Sequence, residues 1–106
     1  ANGGTALQLA SRLGHTRTVQ WLLSRSASVG VRDDSGLTAL HWASGCGEQE
    51  VAKMLLDAGA AHLVTSPDRR GGTPTSLAWR NGHMSLLFWL LRARLVLAWQ
   101  SLTGSF

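Results

Sequence analysis

The sequence predicts an all-α protein made of three similar helix-turn-helix units that stack side by side. Thr5, Thr38 and Thr73 each begin a similar segment, and they lie 33 and 35 residues apart. Each segment then has a glycine and a leucine pair at matching positions: Gly14, Gly47 and Gly82, then Leu22/Leu23, Leu55/Leu56 and Leu90/Leu91. A unit of this length holds two short helices that cannot bury their apolar faces alone, so neighbouring units must stack.

The central unit shows the pattern most clearly. Thr38 is expected to cap a first helix, because its hydroxyl can accept a hydrogen bond from a free N–H of the first turn. Gly45 and Gly47 are expected to end that helix, since glycine tolerates the left-handed conformation of a C-cap. A second helix is predicted over residues 48–58, with an acidic start that suits the helix dipole and Gly59 at its end.

These segments resemble the ankyrin repeat, in which each unit is a β-turn followed by two helices. The family pattern G-x-T-P-L-H-x-A-A-x-x-G-H, with a later leucine pair and Gly-Ala, is matched best by residues 36–60. The resemblance covers about residues 1–93 and implies an ankyrin-repeat solenoid with β-turn loops between the units. We expect one domain over residues 1–106, with repeats at about 1–32, 33–67 and 68–93, and a C-terminal helix extension or cap at 94–106.

Some positions depart from the family pattern. Gln8 and Ser76 replace the motif histidine that ties adjacent loops, and Thr75 replaces a core leucine. Ser26 replaces the glycine that follows the second helix. Residues 65–67 hold a two-residue insertion, for which we expect a longer and more mobile loop.

The composition favours an acidic partner over a nucleic acid. Nine arginines and one lysine against six acidic residues give a net charge of +4. Nucleic-acid binding is not favoured, because lysine is nearly absent and aspartates interrupt the basic segments. The single cysteine, Cys46, excludes an intrachain disulfide and fits a reducing compartment, so we expect an intracellular protein, cytoplasmic or nuclear. Residues 1–5 are predicted to form a turn, and the chain is expected to belong to a longer protein or array.

No residue set argues for catalysis, a cofactor or a metal. The four histidines, His15, His41, His62 and His83, show no ligand spacing such as H-x₃₋₅-H. Cys46 has no basic group beside it in the sequence, so an inert thiol is expected. The glycines are explained by turns rather than by a phosphate-binding loop. We therefore expect a protein that is not an enzyme.

The longest apolar stretch, residues 84–102, is unusual for the end of a stack. Arg92 and Arg94 lie near its middle, which disfavours a membrane-spanning helix. A terminal repeat normally shows water a polar face. We expect a further repeat, a partner or a second copy of the chain to cover the apolar side chains of this stretch, which are Phe88, Trp89, Leu95 and Trp99. The alternative is that residues 95–106 fold back as a cap.

The resemblance also implies a partner-binding surface, because ankyrin solenoids hold partners with their β-turn tips and the exposed face of the first helices. The matching positions are Arg12, Arg32, Asp34, Leu37, Trp42, Arg69, Arg70, Arg80 and Asn81. Five arginines on one surface predict recognition of an acidic peptide or protein through carboxylate contacts. The alternative for this surface is a solvated face that keeps the protein soluble.

The tryptophans fall into two groups. Trp42 and Trp79 are expected to be partly exposed on the concave side, where aromatic residues can act as binding hot spots. Trp21 and Trp89 share one repeat position and are expected to pack between neighbouring second helices. The leading hypothesis is a non-catalytic protein-interaction scaffold, and the alternative is a regulatory or targeting ankyrin segment of a longer enzyme or membrane protein.

Overall fold

The computed structural model describes residues 3–103, with side chains for residues 6–102. Within these residues the secondary structure is helical, which confirms the predicted all-α class. Six α-helices and one 3₁₀ helix follow one another: α1 (Gly3–Leu13), α2 (Thr16–Ser24), α3 (Ala39–Cys46), α4 (Gln49–Asp57), the 3₁₀ helix Ala60–Leu63, α5 (Pro74–Arg80) and α6 (Met84–Thr103).

The α-helices form three pairs that stack in chain order. The first helices α1, α3 and α5 contact one another in succession, and so do the second helices α2, α4 and α6. The core lies between these two layers and contains the leucines and alanines that recur in the repeat pattern. Leu7, Leu40, Leu55 and Leu90 are all fully buried, and Ala10, Ala43 and Ala78 are buried as well.

Thr38 and Thr73 cap α3 and α5, as predicted for Thr38. Each hydroxyl accepts a hydrogen bond from the backbone N–H three residues later, at His41 and Ser76 respectively. The side chains of His41 and Ser76 in turn accept from the threonine N–H, at 3.1 and 2.8 Å. This reciprocal arrangement satisfies two N–H groups that a helix start leaves without partners.

The glycines between paired helices have two different roles. Gly47 ends α3 in the left-handed conformation, with φ of 72°. The prediction that Gly45 also ends this helix is wrong, because α3 continues through Gly45 to Cys46. Gly45 instead faces α5, and its carbonyl accepts a hydrogen bond from Asn81 Nδ2 at 2.7 Å. Glycine suits both a turn and a close approach between backbones, so the pattern alone did not separate the two.

The N-terminal end of the described chain differs from the prediction, whereas at the C-terminal end α6 follows the helix-extension alternative as far as Thr103. Gly3–Thr5, predicted as part of a turn, belong to α1, whereas Ala1 and Asn2 lie outside the described residues. A threonine cap contributes only about 1 kcal/mol, which does not by itself fix where a helix begins. Helix α6 continues to Thr103, because it contains no glycine or proline. The fold-back of residues 95–106 is therefore wrong up to Thr103, and residues 104–106 lie outside the described part.

The insertion at residues 65–67 lies in an anchored loop. The loop between α4 and α5 begins with the 3₁₀ helix, in which Ala60 and Leu63 are buried. The Ser66 carbonyl then accepts a hydrogen bond from His41 Nε2 at 2.8 Å, and the Pro67 carbonyl accepts one from the Arg32 guanidinium at 3.1 Å. The loop is longer than the one between α2 and α3, but these contacts argue against the expected mobility.

The two tryptophans on the second helices have different surroundings. Trp89 is half-buried, and Lys53 Nζ of the preceding repeat lies 4.4 Å from its ring centroid. The prediction that Trp21 packs in the same way is wrong, because Trp21 is 56% exposed. The position faces the preceding repeat, and the described residues contain no repeat before α1 that could cover Trp21.

Candidate partner-binding groove

Two loop tips with the same geometry project beside the first helices. In the first tip, Asp33 Oδ1 accepts hydrogen bonds from the backbone N–H groups of Ser35 and Leu37, both at 2.9 Å. In the second, Asp68 Oδ1 accepts from those of Arg70 and Gly72, both at 2.8 Å. These bonds stabilise the carboxylate, so the hydrogen bond from Gly72, above all, holds the pKa of Asp68 below its usual value.

A polar side chain from each first helix fastens the next tip. His41 Nε2 donates to the carbonyls of Ser66 and Gly72, at 2.8 and 3.2 Å. Gln8 Nε2 donates in the same way to the carbonyls of Val31 and Leu37, at 2.8 and 3.2 Å. Gln8 therefore replaces the motif histidine without loss of the tie, because an amide N–H reaches as far as an imidazole N–H.

The Arg32 side chain connects two loops. Its guanidinium donates to the carbonyls of Gly36 and Pro67, at 2.7 and 3.1 Å, and to the hydroxyl of Ser66. These bonds connect two loops whose sequences are more than thirty residues apart. Arg32 therefore fastens two loops, a contact that sequence position alone did not reveal, and its role in partner binding stays a prediction.

A groove of about 690 Å³ opens between the two tips and the helices α3 and α5. Seven of the nine predicted partner-binding residues line it: Asp34, Leu37, Trp42, Arg69, Arg70, Arg80 and Asn81. The groove also includes His41, Asp68 and Leu77, which were not predicted as binding residues. Leu77 could have been predicted as a binding residue, because it occupies the repeat position of Trp42.

Arg12 lies beside this groove rather than in it. Its guanidinium carbon is 5.5 Å from the centroid of the Trp42 ring, at cation–π distance. Trp42 is half-buried, and its indole N–H donates to Asp33 Oδ2 at 3.0 Å. Arg12, Trp42 and Asp33 thus form a cluster that links α1, α3 and the first tip. Trp79, the other tryptophan predicted at the concave side, is 67% exposed.

Arginine side chains provide most of the charge in the groove. Arg69, Arg70 and Arg80 are exposed, and their guanidinium groups make no ion pair with any residue between 3 and 103. Asp68 lies near Arg70, but its Oδ1 is occupied by backbone N–H groups of its own tip. The groove therefore offers three charged donor groups to a ligand, with Asp34 as a further acidic residue at its edge.

The described residues contain no cluster of three or more His, Cys, Asp or Glu side chains that could hold a metal ion. Cys46 is exposed at the end of α3. Among the helices of the described part, none combines the length and the apolar character needed to cross a membrane. The side chains that line the groove offer hydrogen bonding, charge and apolar contact to a ligand.

A second apolar surface lies on the C-terminal half of α6. Every described side chain from Arg94 to Leu102 is exposed. The large apolar side chains among them include Leu95 at 69%, Trp99 at 59% and Leu102 at 86% exposure, and Phe88 is 65% exposed nearer the stack. Exposed apolar patches of this kind mark interaction sites more often than ordinary surface.

Comparisons with known proteins agree with the fold. The chain matches ankyrin repeats in three copies, over residues 1–66 and 30–98. It is 35% identical over 92 residues to calmodulin-binding transcription activator 3 of Arabidopsis thaliana, covering 83% of this chain and 9% of that protein. It is 36% identical over 107 residues to calmodulin-binding transcription activator CBT of Oryza sativa subsp. japonica, covering 97% of this chain and 12% of that protein.

A relative of another kind matches part of this chain. The chain is 42% identical over 67 residues to palmitoyltransferase AKR1 of Lachancea kluyveri, covering 63% of this chain and 9% of that protein. The chain thus spans about a tenth of the length of the curated relatives it matches. Ankyrin repeats mediate protein–protein interactions and are generally non-catalytic. The three stacked helix pairs and the match over almost the whole sequence show that this chain belongs to the ankyrin-repeat family.

Proposed function

We propose that this chain is a non-catalytic interaction segment that binds an acidic peptide or an acidic protein surface in the groove between the tips. The observation that carries the proposal is the set of three exposed guanidinium groups, on Arg69, Arg70 and Arg80, without ion pairs in the described part of the chain. A guanidinium presents N–H donors in a planar fork that matches a carboxylate. Bound acidic side chains would supply the missing acceptors.

The apolar residues of the groove add a second requirement for the ligand. Leu37 and Trp42 line it beside the charged groups and are both half-buried. A volume of about 690 Å³ is within the range of pockets that enclose most of a small ligand's surface. The preferred ligand is therefore a short segment with carboxylates on both sides of an apolar side chain.

The relatives support a binding role rather than one chemical activity. Two of them are named for calmodulin binding and transcription activation, and another is named as a palmitoyltransferase, yet all share this segment. Because the segment is about a tenth of those proteins, the alternative is a regulatory or targeting segment of a longer enzyme or membrane protein. The transcription activators also support an intracellular location, nuclear or cytoplasmic.

The groove is tested by fluorescence anisotropy with labelled peptides that carry Asp/Glu pairs around a leucine, and with Asn/Gln versions of the same peptides. Arg69→Ala, Arg70→Ala and Arg80→Ala together are expected to weaken binding of the acidic peptides more than about tenfold, since bonds to charged groups contribute about 1.5–3 kcal/mol each. The matched control removes the same charge outside the groove, with Arg17→Ala, Arg25→Ala and Arg94→Ala. Equal weakening by both triple variants would indicate a response to net charge alone and would contradict a specific groove.

The apolar surface of α6 supports a second partner proposal, association of two copies of this chain. Leu95 and Leu102 are among its most exposed side chains, and burial of such surface favours association by about 25 cal/mol per Å². Sedimentation analysis is expected to show dimers that dissociate on dilution. Leu95→Lys with Leu102→Lys is expected to shift the equilibrium to monomer, and a parent chain that stays monomeric at high concentration would refute the proposal.

A further inference from the structure

The contacts between the second and third repeats define how one repeat receives the repeat before it. On the receiving side, Leu77 of α5 lies against Gly45, and the ring of His83 lies so close to Gly47 that a Cβ there would approach it to 2.6 Å. Trp89 of α6 receives the ammonium group of Lys53 over its ring, at 4.4 Å. A leucine, a histidine and a tryptophan thus form the receiving face of the third repeat.

The first repeat carries the same three residue types at the equivalent positions. The shifts of 33 and 35 residues place Leu9, His15 and Trp21 where the third repeat has its leucine, histidine and tryptophan. These three residues are defined here as the N-terminal face. In the third repeat the equivalent side chains are half-buried, but Leu9 is 51% exposed, Trp21 is 56% exposed and His15 is exposed.

We infer that the N-terminal face is a docking surface for a further ankyrin repeat with the chemistry of repeat two, that is, with glycines at the positions of Gly45 and Gly47 and a lysine at that of Lys53. The glycine at the position of Gly47 leaves room for the ring of His15, and the residue at the position of Gly45 lies in ordinary van der Waals contact with Leu9, as Gly45 does with Leu77. The lysine ammonium group lies over Trp21 as it does over Trp89. This surface is separate from the groove of the proposed function.

One position on this side departs from the others. Thr18 is exposed, whereas its equivalents Val51 and Leu86 are buried. Threonine has the same branched shape as valine, so the position keeps its volume but gains a hydroxyl. The departure lowers the apolar gain at one point of the interface and leaves the Leu-His-Trp set intact.

The opposite end of the stack has lost the residues that contact a following repeat. Gln8 and His41 hold the next tip, but Ser76 at this position bonds to Thr73 of its own helix. Ser11 of α1 and Ser44 of α3 are fully buried, and each of these helices contacts the first helix of the following repeat. The equivalent residue of the third repeat is Trp79, which is far larger and is 67% exposed. The third repeat therefore does not accept an equivalent repeat, and two copies of this chain do not stack head to tail.

The docking surface is tested by joining a copy of residues 37–71 directly before Gly4. The junction then reads Gly71–Gly4–Thr5, which reproduces the native Gly71–Gly72–Thr73. The extended chain is compared with the parent by urea denaturation and by hydrogen exchange of residues 6–24. The expected result is a single transition at a higher urea midpoint than that of the parent, with exchange in α1 and α2 slowed about tenfold or more, because stacked repeats unfold cooperatively with their neighbours.

Control substitutions show whether any gain comes from the N-terminal face. Leu9→Glu with Trp21→Glu is expected to change the parent little, since both side chains are more than half exposed, and to remove the higher midpoint of the extended chain. Leu102→Glu, at an 86% exposed site on α6, is expected to leave that gain in place. The inference is overturned by a separate transition for the added segment, by unchanged exchange of α1 and α2, or by an extended chain that keeps its full gain with both glutamates.

Discussion

Replacing His41 tests the tie between the second repeat and the second tip. Thr38 N–H donates to Nδ1, so the proton of the neutral ring is on Nε2, which donates to the carbonyls of Ser66 and Gly72. His41→Ala removes one acceptor and two donor contacts at a fully buried site. With about 1 kcal/mol for each net hydrogen bond, we expect a loss of about 3 kcal/mol in the free energy of unfolding.

His41→Gln is expected to restore most of this stability. Gln8 already makes the equivalent pair of bonds, at the same 2.8 and 3.2 Å. A glutamine three residues after a threonine cap also suits the capping box, because its carbonyl oxygen can accept from the Thr38 N–H. We expect His41→Gln to lie within about 1 kcal/mol of the parent.

The glutamine variant also separates the effect of pH. Burial lowers the pKa of His41 below its usual value. The unfolded chain therefore takes up a proton below about pH 6.5 that the folded chain resists. The stability that His41 contributes is full above this pH and is lost as the pH falls toward the lower pKa of the folded state. For one proton this loss reaches up to about 2 kcal/mol between pH 7 and pH 5.

The assay is urea denaturation followed by circular dichroism at pH 7 and pH 5. The difference in unfolding free energy between the two pH values is expected to shrink in His41→Gln and to grow in Gln8→His. Asp68 titrates below this window, since the hydrogen bond from Gly72 lowers its pKa. The reasoning is refuted if His41→Gln keeps the parent's full pH dependence, or if His41→Ala loses less than about 1 kcal/mol.

Three further predictions, made with five substitutions, test the fold. Ser26 has φ of 64°, in the left-handed region, where the equivalent residue of the second repeat is Gly59 with φ of 103°. Ser26→Gly is expected to relieve about 1 kcal/mol of backbone strain and so to raise the thermal midpoint. An unchanged midpoint would contradict the strain at Ser26. Gly47→Ala is expected to lower the free energy of unfolding more than Gly59→Ala, as measured by urea denaturation. A Cβ at Gly47 would meet the ring of His83, whereas a Cβ at Gly59 would have no neighbouring atom within 4 Å. Equal losses would argue against the contact at Gly47. Arg32→Ala is expected to lower the free energy of unfolding by about 1–2 kcal/mol, and Arg70→Ala by less than about 0.5 kcal/mol, in the same assay. The reverse order would contradict the structural role of Arg32.

The repeated local signals allowed much of the fold to be predicted. A threonine at a helix start and a glycine after a helix act through their own backbone neighbours, so Thr38 and Gly47 have the predicted roles. The same reasoning was wrong for Gly45, whose role depends on α5. It was also wrong for Gly3–Thr5, which are helical, because a threonine cap of about 1 kcal/mol does not by itself fix where a helix begins.

The candidate groove was predicted in outline, because equivalent positions in a repeat occupy equivalent places in the stack. Seven of the predicted residues line it. Arg32 does not line the groove, and its loop contacts were not foreseen, since its neighbours in the sequence do not show that its guanidinium reaches the loop around Pro67. Gln8 was noted only as a departure from the motif histidine, because the family pattern compares residue names and not the bonds that two different side chains can both make.

The sequence by itself determined the all-α class, the three helix pairs and the order in which they stack, because caps, turns and apolar periodicity act within each repeat. Only the tertiary structure decided which arginines face the groove, which one fastens the loops, and why Trp21 and Trp89 differ in exposure. Those outcomes depend on whether another repeat lies against a given face. Two repeats with the same residues can therefore differ, because burial is a property of the contact and not of the residue.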